Sequence, residues 1–259
     1  MPKSLAEDVR RALAGERPLF LELLCWPAGL RVLVLAPHPD DFDAIAVTLR
    51  HFHQRGDEVR LAVISSSWSG VEDSFCSPPT TDRKAALREQ EQRDSCRLFG
   101  LPEDRLVFLR LMEDDDGHPV DDECSIARVR DHILGVRPDM VLLPHGNDTN
   151  AGHRFAFRML ERCAGSMGIC FTALLNRDPK TVEMRSDLYT FFGEEEASWK
   201  AALLRCHRSQ HRRNLNMRGH GLDERILRVN RRSAAEFIGR GPYAEEFEIW
   251  PGPASCPGI

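Results

Sequence analysis

Short apolar runs recur along the chain, and the stretches between them keep the three-to-four-residue apolar spacing of amphipathic helices. Residues 31–36 (RVLVLA) predict the first clear strand and 58–65 (EVRLAVIS) the second, with a helix between them ending at Gly56. A long charged helix is expected from about 82 to 99, stopping at Gly100. A short strand at 105–109, an acidic turn, a helix around 122–134 and a strong strand at 139–144 follow. Beyond these lie a helix at about 152–164, a strand-like run at 169–175, helices at roughly 194–213 and 222–238, and a last strand at 245–250. Apolar strands alternating with helices predict an α/β fold, Rossmann-like, with a mostly parallel sheet flanked by helices. No shift in composition divides the chain, so residues 1–259 read as a single domain. A helical extension over about 1–29 and a short flexible Pro/Gly-rich tail complete it.

Charge changes this picture only by exclusion. The 35 Lys and Arg residues against 40 Asp and Glu leave a formal charge of −5, and no basic stripe with interleaved aromatics argues for nucleic acid. The start, MPKSLAEDVRRALAGE, is a charged amphipathic helix rather than a secretory leader. The early apolar run LFLELLCWPAGL contains Glu22 and Pro27 and is too short to span a bilayer. The expectation is a soluble, cytoplasmic protein without stable membrane insertion; the pattern leaves its oligomeric state undefined. Eight cysteines without a C-x-x-C pair read as reduced thiols, not as a disulfide framework or a thiolate zinc site.

Ligands of open parallel sheets gather beyond the carboxyl ends of the strands. Two loops there carry metal-type residues: PHPDDFD after the strand ending at Ala36, and PHGNDTNAGH after the strand ending at Leu143. The first contains no G-x-G-x-x-G, which removes the dinucleotide reading at the turn where it belongs. His38 and Asp41, three residues apart around Pro39, can reach one ion, and His153 at the start of its helix is the natural third ligand. Three protein ligands leave one position open, and Asp40 beside them could act as general base. Taken alone, His-Pro-Asp-Asp is equally a plain turn in which Asp41 or Asp43 caps the following helix.

These segments, in this order, resemble the LmbE-like or PIG-L-like zinc-dependent N-deacetylases. The resemblance rests on LAPHPDD, on Arg88, Glu91, Ser95 and Phe99-Gly100 along the long helix, and on FLRLMEDDDG. It continues through DTNAGH, through Lys200 with His207-Arg-Ser-Gln210, and through PYAEEF at 242–247. It implies zinc, or another divalent ion, on His38, Asp41 and His153, with Asp40 as general base. It also implies a small-molecule partner, an N-acetylglucosamine-type conjugate that loses its acetyl group, and matches Arg88 and Asp116 to positions that hold sugar hydroxyls in relatives. By their own chemistry, Arg88 pairs with Glu91 on a helix surface and Asp116 belongs to a capped acidic turn. His207 and Gln210 are expected to pack.

The chain departs from the family pattern twice. Phe42 stands where relatives have glutamate, a loss that Asp43 could offset. Asn150-Ala-Gly-His153 stands where they read His-Pro-Asp-His, so the histidine that faces the tetrahedral intermediate is replaced by Asn150. An amide still donates a hydrogen bond to an oxyanion but transfers no proton. His145, at the end of the same strand, is either a compensating group on the substrate side or an ordinary loop histidine. The expectation is an N-deacetylase, the alternatives a catalytically weakened metal-binding or ligand-binding protein or a hydrolase of another amide.

Overall fold

The computed structural model describes residues 5–252. In chain order the elements are α1 (Leu5–Ala12), β1 (Leu19–Phe20), β2 (Arg31–Ala36), α2 (Ala46–Gln54), β3 (Glu58–Val63), α3 (Thr81–Phe99), β4 (Leu106–Phe108) and α4 (Glu123–Val136). They continue with β5 (Met140–Pro144), α5 (Ala151–Ala164), β6 (Thr172–Asn176), β7 (Leu188–Phe192), α6 (Glu194–Cys206), α7 (Arg208–Arg218), α8 (Leu222–Ala234) and β8 (Tyr243–Trp250). One eight-stranded sheet has the order β1-β7-β8-β6-β5-β2-β3-β4. The five strands from β4 to β6 are parallel, and β8 runs antiparallel to both β6 and β7. The expected mostly parallel sheet flanked by helices is therefore present.

Strand side chains alternate between two apolar layers. Val32, Val34 and Ala36 join Leu49, Phe52, Phe99 and Leu203 on the face covered by α2, α3 and α6. Leu33 and Leu35 point the other way, toward Val129, Ile133, Met159 and Leu160 of α4 and α5. Burial on both faces is why these strands read as continuous apolar runs rather than alternating ones. In the N-terminal stretch Val9, Leu13, Trp26 and Leu30 are buried in the first layer, and β1 pairs with β7. The expected flexible tail falls largely outside the described residues.

The strands β1 and β7 were not foreseen, and the single helix expected at 194–213 is broken at His207, whose backbone (φ −79°, ψ 62°) ends α6 and starts α7. No Gly or Pro marks that break; it is imposed by tertiary bonds described below. Among the described residues six cysteines are free thiols, but Cys170 is disulfide-bonded, which departs from reduced thiols throughout. Among the described residues no helix is long and apolar enough to cross a membrane.

The strand order positions the site. Chain progress from β2 leads to β3 on one side, while β5 lies on the other, so the carboxyl ends of β2 and β5 flank a topological switch point. The register Val34↔Leu142 sets the two metal-type loops side by side despite about a hundred residues between them. A fully buried ion pair braces the first loop. Lys200 Nζ donates to the Ala44 carbonyl (2.6 Å), to Asn230 Oδ1 (2.9 Å) and to Glu245 Oε1 (2.7 Å), and the Glu245 carboxylate accepts from the backbone N–H groups of Val47 and Thr48. Removing one partner strands the other charge, so Glu245→Ala is expected to lose about 3 kcal/mol or more of stability, measured by urea unfolding.

Candidate metal centre and active-site pocket

The first loop folds around its own carboxylate. Asp41 Oδ2 accepts from the His38 backbone N–H (2.8 Å) and lies 3.1 Å from His38 Nδ1, while Asp41 Oδ1 is 3.3 Å from His153 Nε2. Ligand atoms of His38, Asp41 and His153 all fall within 4.8 Å of one another. His153 sits in the first turn of α5, and its Nδ1 faces Asp148 Oδ2 at 3.2 Å and Asp178 Oδ1 at 3.8 Å. Asp148 is fixed in turn by Thr181 Oγ1 (3.2 Å) and the Asn150 backbone N–H (2.6 Å).

Burial disfavours the Asp41 charge, but the His153 and His38 imidazoles outweigh it and hold the carboxyl well below its ordinary range. Burial likewise opposes charge on His153, and Asp41 with Asp178 overturns that, raising it well above a free imidazole. Burial pushes Asp178 up. Without a cation, then, the centre draws a proton onto an imidazole between carboxylates, which is where a divalent ion can take the proton's place. The space agrees. A Cβ on Gly152 would stand 2.2 Å from His38 Nε2, so the absent side chain is what lets this imidazole approach α5. Two imidazoles and a carboxylate on one point suit a divalent transition metal such as zinc.

Asp40 adopts φ 121°, outside the range comfortable for a residue with a Cβ. Its carboxylate lines the pocket, where Arg88 Nη2 reaches Oδ1 at 3.3 Å and the Pro39 carbonyl at 2.5 Å. Arg88 is not a surface residue paired with Glu91: it is 1% exposed, and its Nε and Nη1 have no hydrogen-bond partner. Glu91 instead accepts from the Ser209 backbone and hydroxyl at 2.7 Å each, tying α3 to α7. Gln92 Oε1 accepts from the Asp40 backbone N–H, and Ser95 Oγ donates to Asp43 Oδ1 at 2.7 Å. Arg88, Glu91, Gln92 and Ser95 thus form a buried polar stripe at helical spacing that supports the loop.

Phe42 is fully buried against Phe99 at 4.9 Å between ring centroids, away from the ligands. Asp43 does not take over at the metal centre, since its carboxylate is spent on Ser95 and on His207 Nε2 at 2.5 Å. That last bond, with Ser209 on Glu91, fixes the break between α6 and α7. His207 is structural, as expected, while Gln210 lines the pocket.

Of the remaining candidates, Asn150 lines the pocket and caps α5, its Oδ1 accepting from the Gly152 N–H at 3.0 Å. The structure does not bring Asp116 and His145 to the pocket. Asp116 is exposed on a turn in which its N–H donates to Asp114 Oδ1, leaving Gly117, His118 and Pro119 to face inward. His145 is drawn to the far side, with Nε2 at 3.3 Å from Glu248 and its ring stacked at 6.4 Å on Phe157. The pocket holds about 250 Å³. Wall residues the sequence reading missed include Asp178 and Lys180 from the β6–β7 loop, and Arg213, Arg218 and Arg225 from α7 and α8. None of these carried a signal, since α7 is polar on every side.

A His/Asp/His cluster at the switch point of a parallel sheet, with a carboxylate beside it, is an arrangement that could hold a metal ion. The PIG-L family model, described as GlcNAc-PI de-N-acetylase, matches residues 33–164, more than half of the chain, and the chain belongs to that family. No curated protein sequence matches it. Among solved structures it is similar to the N,N'-diacetylchitobiose deacetylase of Pyrococcus horikoshii, at 17% identity and a TM-score of 0.69, covering 97% of this chain and 94% of that one. A zinc-inhibited form of teicoplanin deacetylase matches at 15% identity and a TM-score of 0.63, over 87% of this chain and 99% of the other. So does the 4-carboxy-2-hydroxymuconate hydratase of Pseudomonas putida KT2440, at 17% and 0.66, over 85% and 95%. At such identities the likenesses establish the fold.

Proposed function

We propose that the chain is a metal-dependent hydrolase that removes the N-acetyl group of an N-acetylglucosamine-type conjugate. Family membership and the deacetylases among its structural neighbours support this class. The observation that carries it is Asp40, held at φ 121° with its carboxylate on the pocket wall beside His38, Asp41 and His153. Those three residues would hold the ion, zinc or another divalent metal. When bound, such an ion supplies Lewis acidity and brings the pKa of water toward neutrality.

Asp40 accepts the proton of the attacking water as its oxygen bonds to the acetamide carbonyl carbon. The C–N bond then breaks, and the proton passes from Asp40 to the departing amine, leaving acetate and a free amino sugar. Arg88 orients the Asp40 carboxylate. Asn150 contributes an amide N–H to the developing oxyanion, and Asp148 holds His153 in place.

Acetate release from N-acetylglucosamine, its methyl glycoside and N,N'-diacetylchitobiose by metal-loaded protein tests this reading, with Asp40→Asn as control. Release by the wild type that falls at least about a hundred-fold in the control is expected. Asn150, which cannot transfer a proton, favours a second reading in which the fold binds metal and ligand with weakened catalysis. Stoichiometric metal without acetate from any of the three compounds would establish that second reading over the first.

A further inference from the structure

One peptide unit of the first loop is held from outside the loop. The His38 backbone N–H donates to Asp41 Oδ2 locally, and the Asp40 carbonyl accepts from the N–H groups of Asp43 (3.0 Å) and Ala44 (3.3 Å). Among the described residues the peptide between Pro39 and Asp40 has no such local partner. Its two ends go instead to α3: the Pro39 carbonyl accepts from Arg88 Nη2 at 2.5 Å, and the Asp40 N–H donates to Gln92 Oε1 at 3.2 Å. Arg88 and Gln92 stand four residues apart on one helix face, so a donor and an acceptor bracket a single peptide. Gln92 is fully buried, where an apolar side chain is the ordinary choice. Its amide is oriented by Cys96. Burial pushes that thiol up, and the neutral sulfur accepts from Gln92 Nε2 at 3.4 Å, which turns Oε1 toward the loop.

The bracket decides between two orientations of this peptide. Asp40 holds φ 121°, a conformation that persists only where the surroundings impose it. Turning the Pro39–Asp40 peptide over, with both Cα atoms in place, would bring that angle to about −60°, the ordinary range. Backbone strain therefore favours the turned orientation. The bracket opposes it, because a turned peptide would set the Asp40 N–H against the Arg88 donor and the Pro39 carbonyl against Gln92 Oε1. The choice reaches the carboxylate through Arg88. The same Nη2 that holds the Pro39 carbonyl stands 3.3 Å from Asp40 Oδ1, so the guanidinium keeps its station beside the carboxylate while that carbonyl faces it.

We infer that Gln92 is a positioning residue: by fixing the Pro39–Asp40 peptide in the observed orientation, it keeps Arg88 on the Asp40 carboxylate. The inference rests on the proposed deacetylation only for the proton that Asp40 moves; the bracket itself is argued from the backbone. Gln92 does not line the pocket, so its removal acts on turnover and not on the binding of substrate or metal.

Gln92→Met removes the acceptor at similar volume, and Gln92→Glu keeps an oxygen at the same reach. Gln92→Asn, which withdraws the acceptor, stands in if the methionine variant does not fold. Acetate release from the three N-acetyl compounds above is followed on metal-loaded protein, and metal affinity by competition with a chelator. Gln92→Met is expected to lower kcat about tenfold or more, with KM and metal affinity within about twofold of wild type, and Gln92→Glu to recover most of the loss. A second arm needs no activity. Urea midpoints of Asp40→Gly and Asp40→Ala are compared with and without Gln92→Met. Glycine is expected above alanine while Gln92 is present, and alanine above glycine once the bracket is open and the peptide has turned. Unchanged kcat in Gln92→Met, a loss shared with metal affinity, or glycine above alanine in both backgrounds overturns the inference. If the wild type releases no acetate, the deacetylase reading fails and the midpoints alone decide the bracket. Acetate release indifferent to Gln92→Met sinks the inference and leaves the deacetylase standing.

Discussion

Asp40→Gly yields a chain more stable than Asp40→Ala and, like it, nearly unable to release acetate. Both substitutions delete the carboxylate that Arg88 approaches at 3.3 Å, so they share whatever that loss costs. They differ in the backbone. At ordinary positions glycine is the less stable of the two by about 0.5–1 kcal/mol. At φ 121° the order should invert, because a Cβ there carries strain of about 1–3 kcal/mol that glycine lacks. Urea unfolding of the two variants isolates that strain, and acetate release should fall by about 10²–10⁴ in each if Asp40 moves the proton. Equal activity of wild type and both variants would remove Asp40 from the chemistry.

Gly152→Ala is expected to lower metal affinity at least about a hundred-fold while the apo protein keeps its stability. The new Cβ would lie 2.2 Å from His38 Nε2, and the imidazole is the only part that can move without unwinding α5. Helix interiors prefer alanine to glycine by about 1 kcal/mol, so the apo chain should unfold no more easily than wild type. Competition with a chromogenic chelator reads the affinity, and unfolding after exhaustive chelation reads the apo stability. Wild-type affinity in the variant would show that His38 Nε2 tolerates the displacement and that the close approach is incidental.

Much of this was legible in the sequence, and for a physical reason. Strands buried on both faces leave apolar runs, so 31–36 was recovered whole and 139–144 to within a residue of β5. His38, Asp41 and His153 could be named because their loops follow those strands directly. Strand β7 escaped because its partners, β1 and β8, lie far away in sequence, and five residues flanked by charge carry little period of their own. The break at His207 escaped because it owes nothing to local propensity; Asp43 and Glu91 pull the chain apart there. Arg88 looked like a surface residue because α3 is charged on every side, which hides which side is buried. Asp178 and Lys180 gave no signal, being loop residues placed only by the pairing of β6 beside β5. Of the two readings open for His145 the sequence could not choose, since the antiparallel strand β8 supplies the Glu248 that draws it away.

The adjacency of β2 and β5 has a kinetic side. Their register joins segments about a hundred residues apart, a pairing that loop closure makes slow relative to local helix formation. Neither metal-type loop can complete the triad by itself, because His38 and Asp41 arrive with one strand and His153 with the helix behind the other. During refolding, acquisition of the ion should therefore lag the recovery of helical circular dichroism and coincide with closure of the sheet's centre.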